Sequence, residues 1–269
     1  MPRRGRRRSK PLPAFKLEKH PSKPEFTVGD TVMLLYGPPK IGKTELASYF
    51  PGVYFLTTEP GVKFRRVRSS PLHTWERFLA ACDAIRDDDS IRTVVIDRVD
   101  TLFKYAMAYV CERDDVDHPS DESHGKGWHR TGIEWAEGID KVVNLQKGVI
   151  FIAHEAERRY ATSAVELTKK GPNIPKTGYD VLNGVCDWLF YYGMLWMKVK
   201  TKSGKMKGKI VRALQCRPTE DIDAGDRTGY FSPTVRMPYG RAAYEKLVQA
   251  FDEALEQIDK KIAADQGAD

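Results

Sequence analysis

The chain lacks any apolar run approaching the ~18 residues of a membrane span, and no apolar stretch follows the charges at its N-terminus, so neither a membrane protein nor a secreted one is expected. Cysteine is scarce. Cys82, Cys111, Cys186 and Cys216 lie far apart without a C-x-x-C pair, which argues against a zinc site and a secreted disulfide scaffold; they read as buried or idle thiols of a reducing compartment. No internal repeat is present, and no helicase or nuclease domain is recognisable. Net charge is also scarce outside one segment. Of the formal +7, residues 1–24 hold nine Lys or Arg against Glu18 alone, and the rest of the chain sums to −1. Pro2, Pro11, Pro13, Pro21 and Pro24 prevent a sustained helix there, so a disordered basic arm is expected, attracted to polyanions such as nucleic acid. A solubilising tail and a localisation signal are the alternatives.

What is present is a glycine-rich loop. Residues 36–45 read YGPPKIGKTE, and Gly37, Pro38, Pro39, Lys40, Ile41, Gly42, Lys43 and Thr44 fill the pattern G-x-x-x-x-G-K-[ST] completely. Glycines let backbone N–H groups turn toward phosphate oxygens, Lys43 neutralises the β and γ phosphates, and Thr44 offers a hydroxyl to Mg²⁺. Glu45 follows in the first helical turn and is counted with the nucleotide-binding residues. The context fits: residues 31–36 form an apolar run of buried-strand type, and residues 43–50 suit a helix that Pro51-Gly52 ends.

Three further strand ends carry polar groups. Residues 53–57 predict a strand that leads to Glu59, which faces the same crevice in an open α/β sheet and is placed to deprotonate an attacking water; a plain turn glutamate is the rival reading. Residues 91–97 predict a β-branched strand ending in Asp97, a Walker B acid for Mg²⁺, with Asp100 expected as the N-cap of a helix over 101–110. Residues 149–155 predict a fourth strand with His154 at its tip, either sensing the γ-phosphate or hydrogen-bonded for structure. Residues 73–86 have helical spacing that suits core packing.

Together GPPKIGKT, FLTTEPG, TVVIDRVDTL, HGKGW, FIAHE and GDRTG, spread over most of the chain, resemble the RecA-like P-loop ATPases. They resemble more closely the phage single-strand annealing and AAA-type nucleotide-binding proteins. The resemblance implies an α/β fold with a mostly parallel sheet flanked by helices, a C-terminal β-hairpin and helix, and the His154 strand lying between the Walker A and Walker B strands. It also implies Glu59 as the water-activating residue, and self-association into a filament or ring. Members of the phage group often carry Lys-Asp-Arg late in the core; here Gly225-Asp226-Arg227 stands there, so Arg227 alone carries over as a cation acting on the γ-phosphate, against a turn arginine paired to Asp226 or Asp223.

Two segments are weighed for DNA contact. Residues 111–130 read as a loop whose second half offers Lys126, Trp128 and Arg130, cations and an aromatic suited to a single strand, although Trp128 also suits a loop anchor. Residues 155–179 read as a long mobile loop carrying Arg158, Arg159, Tyr160, Lys169, Lys170 and Lys176, with a solvated peptide-binding or regulatory loop as the alternative because Glu155, Glu157 and Glu166 dilute its charge. Residues 185–197 read as a buried strand joined through a lysine-rich turn to residues 210–216, and residues 239–262 as an amphipathic helix.

The expected organisation is a basic arm (1–24), a RecA-like ATPase core (25–238) and a C-terminal helix and tail (239–269). The expected function is a Mg²⁺-dependent, DNA-dependent ATPase of phage-type recombination, acting in single-strand annealing or strand exchange. Its expected partners are single-stranded DNA, further copies of itself and a single-strand binding protein, with no membrane. The expected location is the cytoplasm, that of the host for a phage-encoded chain. Helicase loading, DNA packaging and a small-molecule P-loop kinase are the alternatives.

Overall fold

The computed structural model describes residues 26–161, 166–200 and 204–266, so the basic arm expected at 1–24 lies outside the described residues. The central strand β1 (Val32–Gly37) is buried at every position, because it pairs in parallel with β5 (Gly148–Ala161) on one side and with β7 (Trp188–Lys200) on the other. Beyond β5 follow β4 (Thr93–Asp97), β2 (Val53–Thr57) and β3 (Arg68–Pro71), all parallel. The other edge turns antiparallel with β8 (Met206–Gln215) and β10 (Thr234–Arg236), and the short β9 (Gly225–Asp226) pairs with the start of β7. The order β10-β8-β7-β1-β5-β4-β2-β3 therefore places the His154 strand between the strand that enters the glycine-rich loop and the strand that ends in Asp97.

Alternation along β1 divides the core in two, since successive side chains point to opposite faces. Val32, Leu34 and Tyr36 join one cluster, with α2 (Trp75–Arg86), α3 (Val99–Asp114), α4 (Lys126–Val143) and α5 (Lys176–Val185). Met33 and Leu35 join the other, with α1 (Lys43–Ala47) and α6 (Arg241–Gln266). Helices thus cover both faces. In α2 the Thr74 hydroxyl accepts from the Arg77 N–H as an N-cap, and Trp75, Phe78, Cys82 and Ile85 form the buried stripe.

Several local readings are corrected. Residues 155–161 and 166–172 are not a loop: β5 continues to Ala161 and pairs antiparallel with β6 (Glu166–Pro172), residues 162–165 lie outside the described residues, and α5 then takes up most of the remaining residues to 179. The segment 111–130 is not a loop throughout, because α3 runs to Asp114, two 3-10 turns follow, and α4 begins at Lys126. Asp100 is not an N-cap; α3 starts at Val99, and Asp100 is buried within its first turn. The first helix is shorter than expected, ending at Ala47. Among the described residues no helix is long and apolar enough to cross a membrane.

Candidate nucleotide site

Register explains why the polar residues converge. Gly37 is level with His154 across β1 and β5, Asp97 with Ile152 across β4 and β5, and Thr57 with Asp97 across β2 and β4. The carboxyl ends of adjacent parallel strands therefore open on one crevice, where ligands bind in sheets of this type. A cleft of about 530 Å³ lies there; its lining includes residues 39–45 with Glu59, Asp97 and His154.

The loop geometry requires its glycines. A Cβ on Gly37 would fall 2.0 Å from the carbonyl oxygen of Tyr192, and Gly42, the residue before α1, holds φ at +111°. Pro38, Pro39, Lys40 and Ile41 form the arch between them. Lys43 is 5% exposed, and its Nζ donates to the carbonyls of Gly37 (2.8 Å) and Pro38 (2.9 Å), so the ammonium is folded into the loop that it would share with a phosphate. Burial pushes the Lys43 amine down to about 8, opposed chiefly by the nearby Asp97 carboxylate.

The Thr44 hydroxyl donates to Asp97 Oδ2 at 2.7 Å. Asp97 is 4% exposed, and burial raises its pKa against the lowering effect of that hydrogen bond. A buried carboxylate beside a hydroxyl and an ammonium fits a divalent cation: the pair supplies two oxygen ligands, and cation charge would relieve the desolvation of Asp97. Glu59 stands half-exposed at the rim, its Oε2 3.7 Å from Arg98 Nε.

Arg98 binds this rim together. Its guanidinium also reaches Asp100 Oδ2 (3.2 Å), Thr101 Oγ1 (3.2 Å) and the His154 ring. Burial, then the positive charges of Arg98 and Lys43, hold the His154 imidazole below its ordinary pKa, so it is neutral at pH 7. The buried Asp100 has its own carboxyl raised by burial, opposed by Arg98. Sequence reading passed over Arg98; its signal was a cation between two acids, Asp97 and Asp100, at the end of an apolar strand.

Two more residues were missed because they come from far along the chain. Arg212 of β8 is buried beside the loop, with Nη1 3.3 Å from the Ile41 carbonyl and a further hydrogen bond to the Pro238 carbonyl. Its guanidinium lies 3.7 Å from the ring centroid of Tyr239. Tyr239 is 77% exposed and lines the cleft, so one ring face is held by Arg212 and the ring borders the nucleotide crevice. Glu45 lies near Arg65, 3.6 Å away, on the same rim.

Other sequence-selected residues sit elsewhere. Arg227 donates to Gly184 O (2.9 Å) and Asp187 Oδ1 (3.3 Å), while Asp187 Oδ2 accepts from the Val32 N–H. It therefore lies at the amino end of β1, a strand length of roughly 17 Å from the loop, and cannot reach the cleft of its own chain. Lys126 is exposed at the start of α4; Trp128 Nε1 donates to Ser120 Oγ (3.2 Å) and its ring meets His118; Arg130 pairs with Asp114 (2.6 Å) and Glu122. On the β5–β6 ribbon, Arg158 lies over the Tyr179 ring, Lys169 donates to the Thr219 carbonyl (2.7 Å), Lys170 lies 3.9 Å from Glu155, and Arg159 is exposed. That ribbon grows directly out of the strand that carries His154, whereas the other segment lies between α3 and α4.

A family profile described as an AAA domain matches residues 30–228, which spans β1 to β9, the glycine-rich loop, Glu59, Asp97 and His154. The SPbeta prophage-derived uncharacterized protein YorG of Bacillus subtilis (strain 168) is 32% identical over 163 residues, covering 58% of this chain. The chain spans about half (47%) of the length of that relative. With a parallel sheet, a complete phosphate loop and an acid on the neighbouring strand end, the chain belongs to this AAA-domain family of P-loop NTPases.

Proposed function

We propose that the protein binds ATP with Mg²⁺, hydrolyses it, and couples that cycle to single-stranded DNA in phage-type recombination by annealing or strand exchange. The observation that carries the hydrolytic reading is the meeting of Lys43, Thr44, Asp97 and Glu59 around one cleft. The prophage relative and the basic arm support the DNA reading. Self-association, with Arg227 reaching a neighbouring copy's cleft, belongs to the same proposal.

Thr44 and Asp97 would hold Mg²⁺, which supplies charge neutralisation along the phosphates when bound. Lys43 exchanges its carbonyl partners for phosphate oxygens and offsets the charge that develops as the β–γ bond breaks. Glu59, steadied by Arg98, accepts the proton of the water that attacks the γ-phosphorus; the products are ADP and inorganic phosphate. Arg98 joins Glu59 to His154, so a change at the γ-phosphate has a short path to the β5–β6 ribbon.

The test is Mg²⁺-dependent ATP hydrolysis at one fixed salt concentration, with single-stranded DNA, with duplex and without either, since DNA affinity depends strongly on salt. Single strands are expected to stimulate turnover. Turnover indifferent to both would sink the coupling to DNA and leave the nucleotide site standing.

Tyr239 gives a second prediction. Its ring, backed by Arg212, is placed to stack on the nucleobase, and a lost stack costs about 1–3 kcal/mol. Tyr239→Ala is expected to weaken ATP binding about tenfold while leaving inorganic tripolyphosphate binding unchanged, and Tyr239→Phe to behave as wild type. Equal losses for both ligands in calorimetric titrations would show that the ring supports the loop and does not read the base.

A further inference from the structure

The β7–β8 hairpin carries a second surface that the nucleotide site does not use. On the sheet face that farther down packs against α1 and α6, it exposes Met194 (51%), Trp196 (65%) and Ile210 (61%). Trp196 faces Ile210 across the strands, and the next pair is Lys198 with Gly208. A Cβ on Gly208 would fall 2.6–2.9 Å from the Trp196 indole. The glycine thus lets the ring lie against the hairpin backbone with its outer side in solvent.

Beside this ring runs a groove of about 580 Å³ along the edge of β8. It exists because β10 pairs only with Ala213–Gln215, which leaves residues 206–211 of that edge without a strand partner among the described residues. Lys209, Arg236 and Lys246 line it together with Met194, Ile210 and Tyr239, and no carboxylate does. Lys209 and Arg236 make no ion pair among the described residues. The groove also shares Arg212 and Tyr239 with the nucleotide cleft, so the two sites are neighbours.

We propose that this hairpin edge binds single-stranded nucleic acid, with a base stacked on Trp196 and the strand crossing the β8 edge, so that phosphates meet Lys246 on the Trp196 side and Lys209 and Arg236, which the register sets on the opposite side of that edge. The inference deepens the DNA reading above and rests on it. Single-strand binders combine a cationic track with aromatic faces, and both are present here. A second copy of the chain, or an extended peptide added to the β8 edge, accounts for the apolar side chains and the free edge but leaves Lys209 and Arg236, which make no ion pair among the described residues, without a counter-charge. A polyanion with stackable bases uses all of them.

The decisive experiment measures binding of the full chain to a labelled oligothymidylate by anisotropy at about 0.2 M salt, where the contribution of a basic arm is reduced, together with tryptophan emission. Trp75, Trp135 and Trp188 are fully buried and Trp128 is partly buried, so quenching reports on Trp196 or Trp128, and its loss in Trp196→Phe identifies Trp196 as the source. Trp196→Ala is expected to weaken binding about tenfold, Trp196→Phe to restore most of it, and each of Lys209→Ala and Arg236→Ala to reduce the salt slope by about one. Melting temperature and DNA-free ATP turnover should not change in Trp196→Ala.

Trp196→Ala that binds like wild type overturns the location while leaving a DNA-stimulated ATPase intact. If wild type itself fails to bind oligothymidylate, the DNA reading falls with it. A change in sedimentation without a change in DNA affinity overturns the proposal in favour of a contact between copies.

Discussion

Replacing Lys43 with alanine is expected to lower ATP turnover by at least ~100-fold, the scale of loss when one preorganised charge-stabilising donor is removed, without unfolding the protein. The second half of that expectation comes from the structure. Lys43 is buried, and burial pushes its amine down to about 8, so the folded chain spends free energy holding a desolvated cation in the loop. Alanine removes that cost along with two hydrogen bonds to Gly37 and Pro38 carbonyls. The two effects oppose one another, and the melting temperature without nucleotide should move by only a few degrees, the shift expected of about 1 kcal/mol. Nucleotide separates the variants. Saturating Mg²⁺–ATP should raise the wild-type melting temperature by linkage, RT ln(1 + [L]/Kd), and leave that of Lys43→Ala unmoved. A variant that melts like wild type and still gains stability from ATP would remove Lys43 from the phosphate site.

The phosphate loop was legible because it needs only a local pattern. Its glycines, lysine and threonine are consecutive, and the strands before it and at 53–57 and 93–97 are short apolar runs whose burial follows from a parallel sheet covered on both faces. The β5–β6 ribbon was not legible. Glu157, Arg158, Arg159, Lys169 and Lys170 break its apolar alternation, because a two-stranded ribbon outside the main sheet has no core face to enforce one, and its charges and glycine resemble those of a loop. Helix α4 was hidden for a different reason. Gly127, Gly132 and Gly138 punctuate it like a loop, yet a Cβ at Gly138 would meet the Trp75 ring at 2.2 Å and one at Gly127 the Pro119 carbonyl at 2.3 Å. These glycines permit close packing between elements, information that periodicity does not carry.

The site divides along the same line. Thr44 was read from the glycine-rich pattern, Asp97 from an apolar strand ending in an acid, and Glu59 from the rule that ligands sit beyond the ends of parallel strands; all three line one cleft with His154. Arg212 and Tyr239 reach the loop only because β8 and the approach to α6 fold back over it. Nothing near residues 36–45 announces them. The misread Asp100 is of the same kind: an acid before a helix suggests a cap, but its partner is the Arg98 that also touches Glu59 and His154, so its role is set by a cluster.

Glu59→Gln should separate chemistry from binding. Glutamine keeps the size of the side chain and a carbonyl oxygen near Arg98 but cannot take a proton, so turnover is expected to fall by 10²–10⁴-fold, roughly the worth of a positioned general base, with ATP affinity changed by less than about threefold. The affinity should hold because Glu59 is half-exposed at the rim, away from the Lys43 and Thr44 contacts that would grip phosphate. Loss of its carboxylate also releases Arg98 from one partner while leaving Asp100, Thr101 and His154 in place, so the rim should keep its shape. Single-turnover hydrolysis and equilibrium ATP binding, measured side by side, read the two effects separately. Unchanged hydrolysis would exclude Glu59 as the base. It would direct attention to the other acids of this corner, of which Asp97 is committed to Thr44 and Asp100 is buried against Arg98. Both are buried, whereas Glu59 stands half-exposed at the rim where an attacking water can reach it, and that difference in access is the physical reason for placing the base at Glu59.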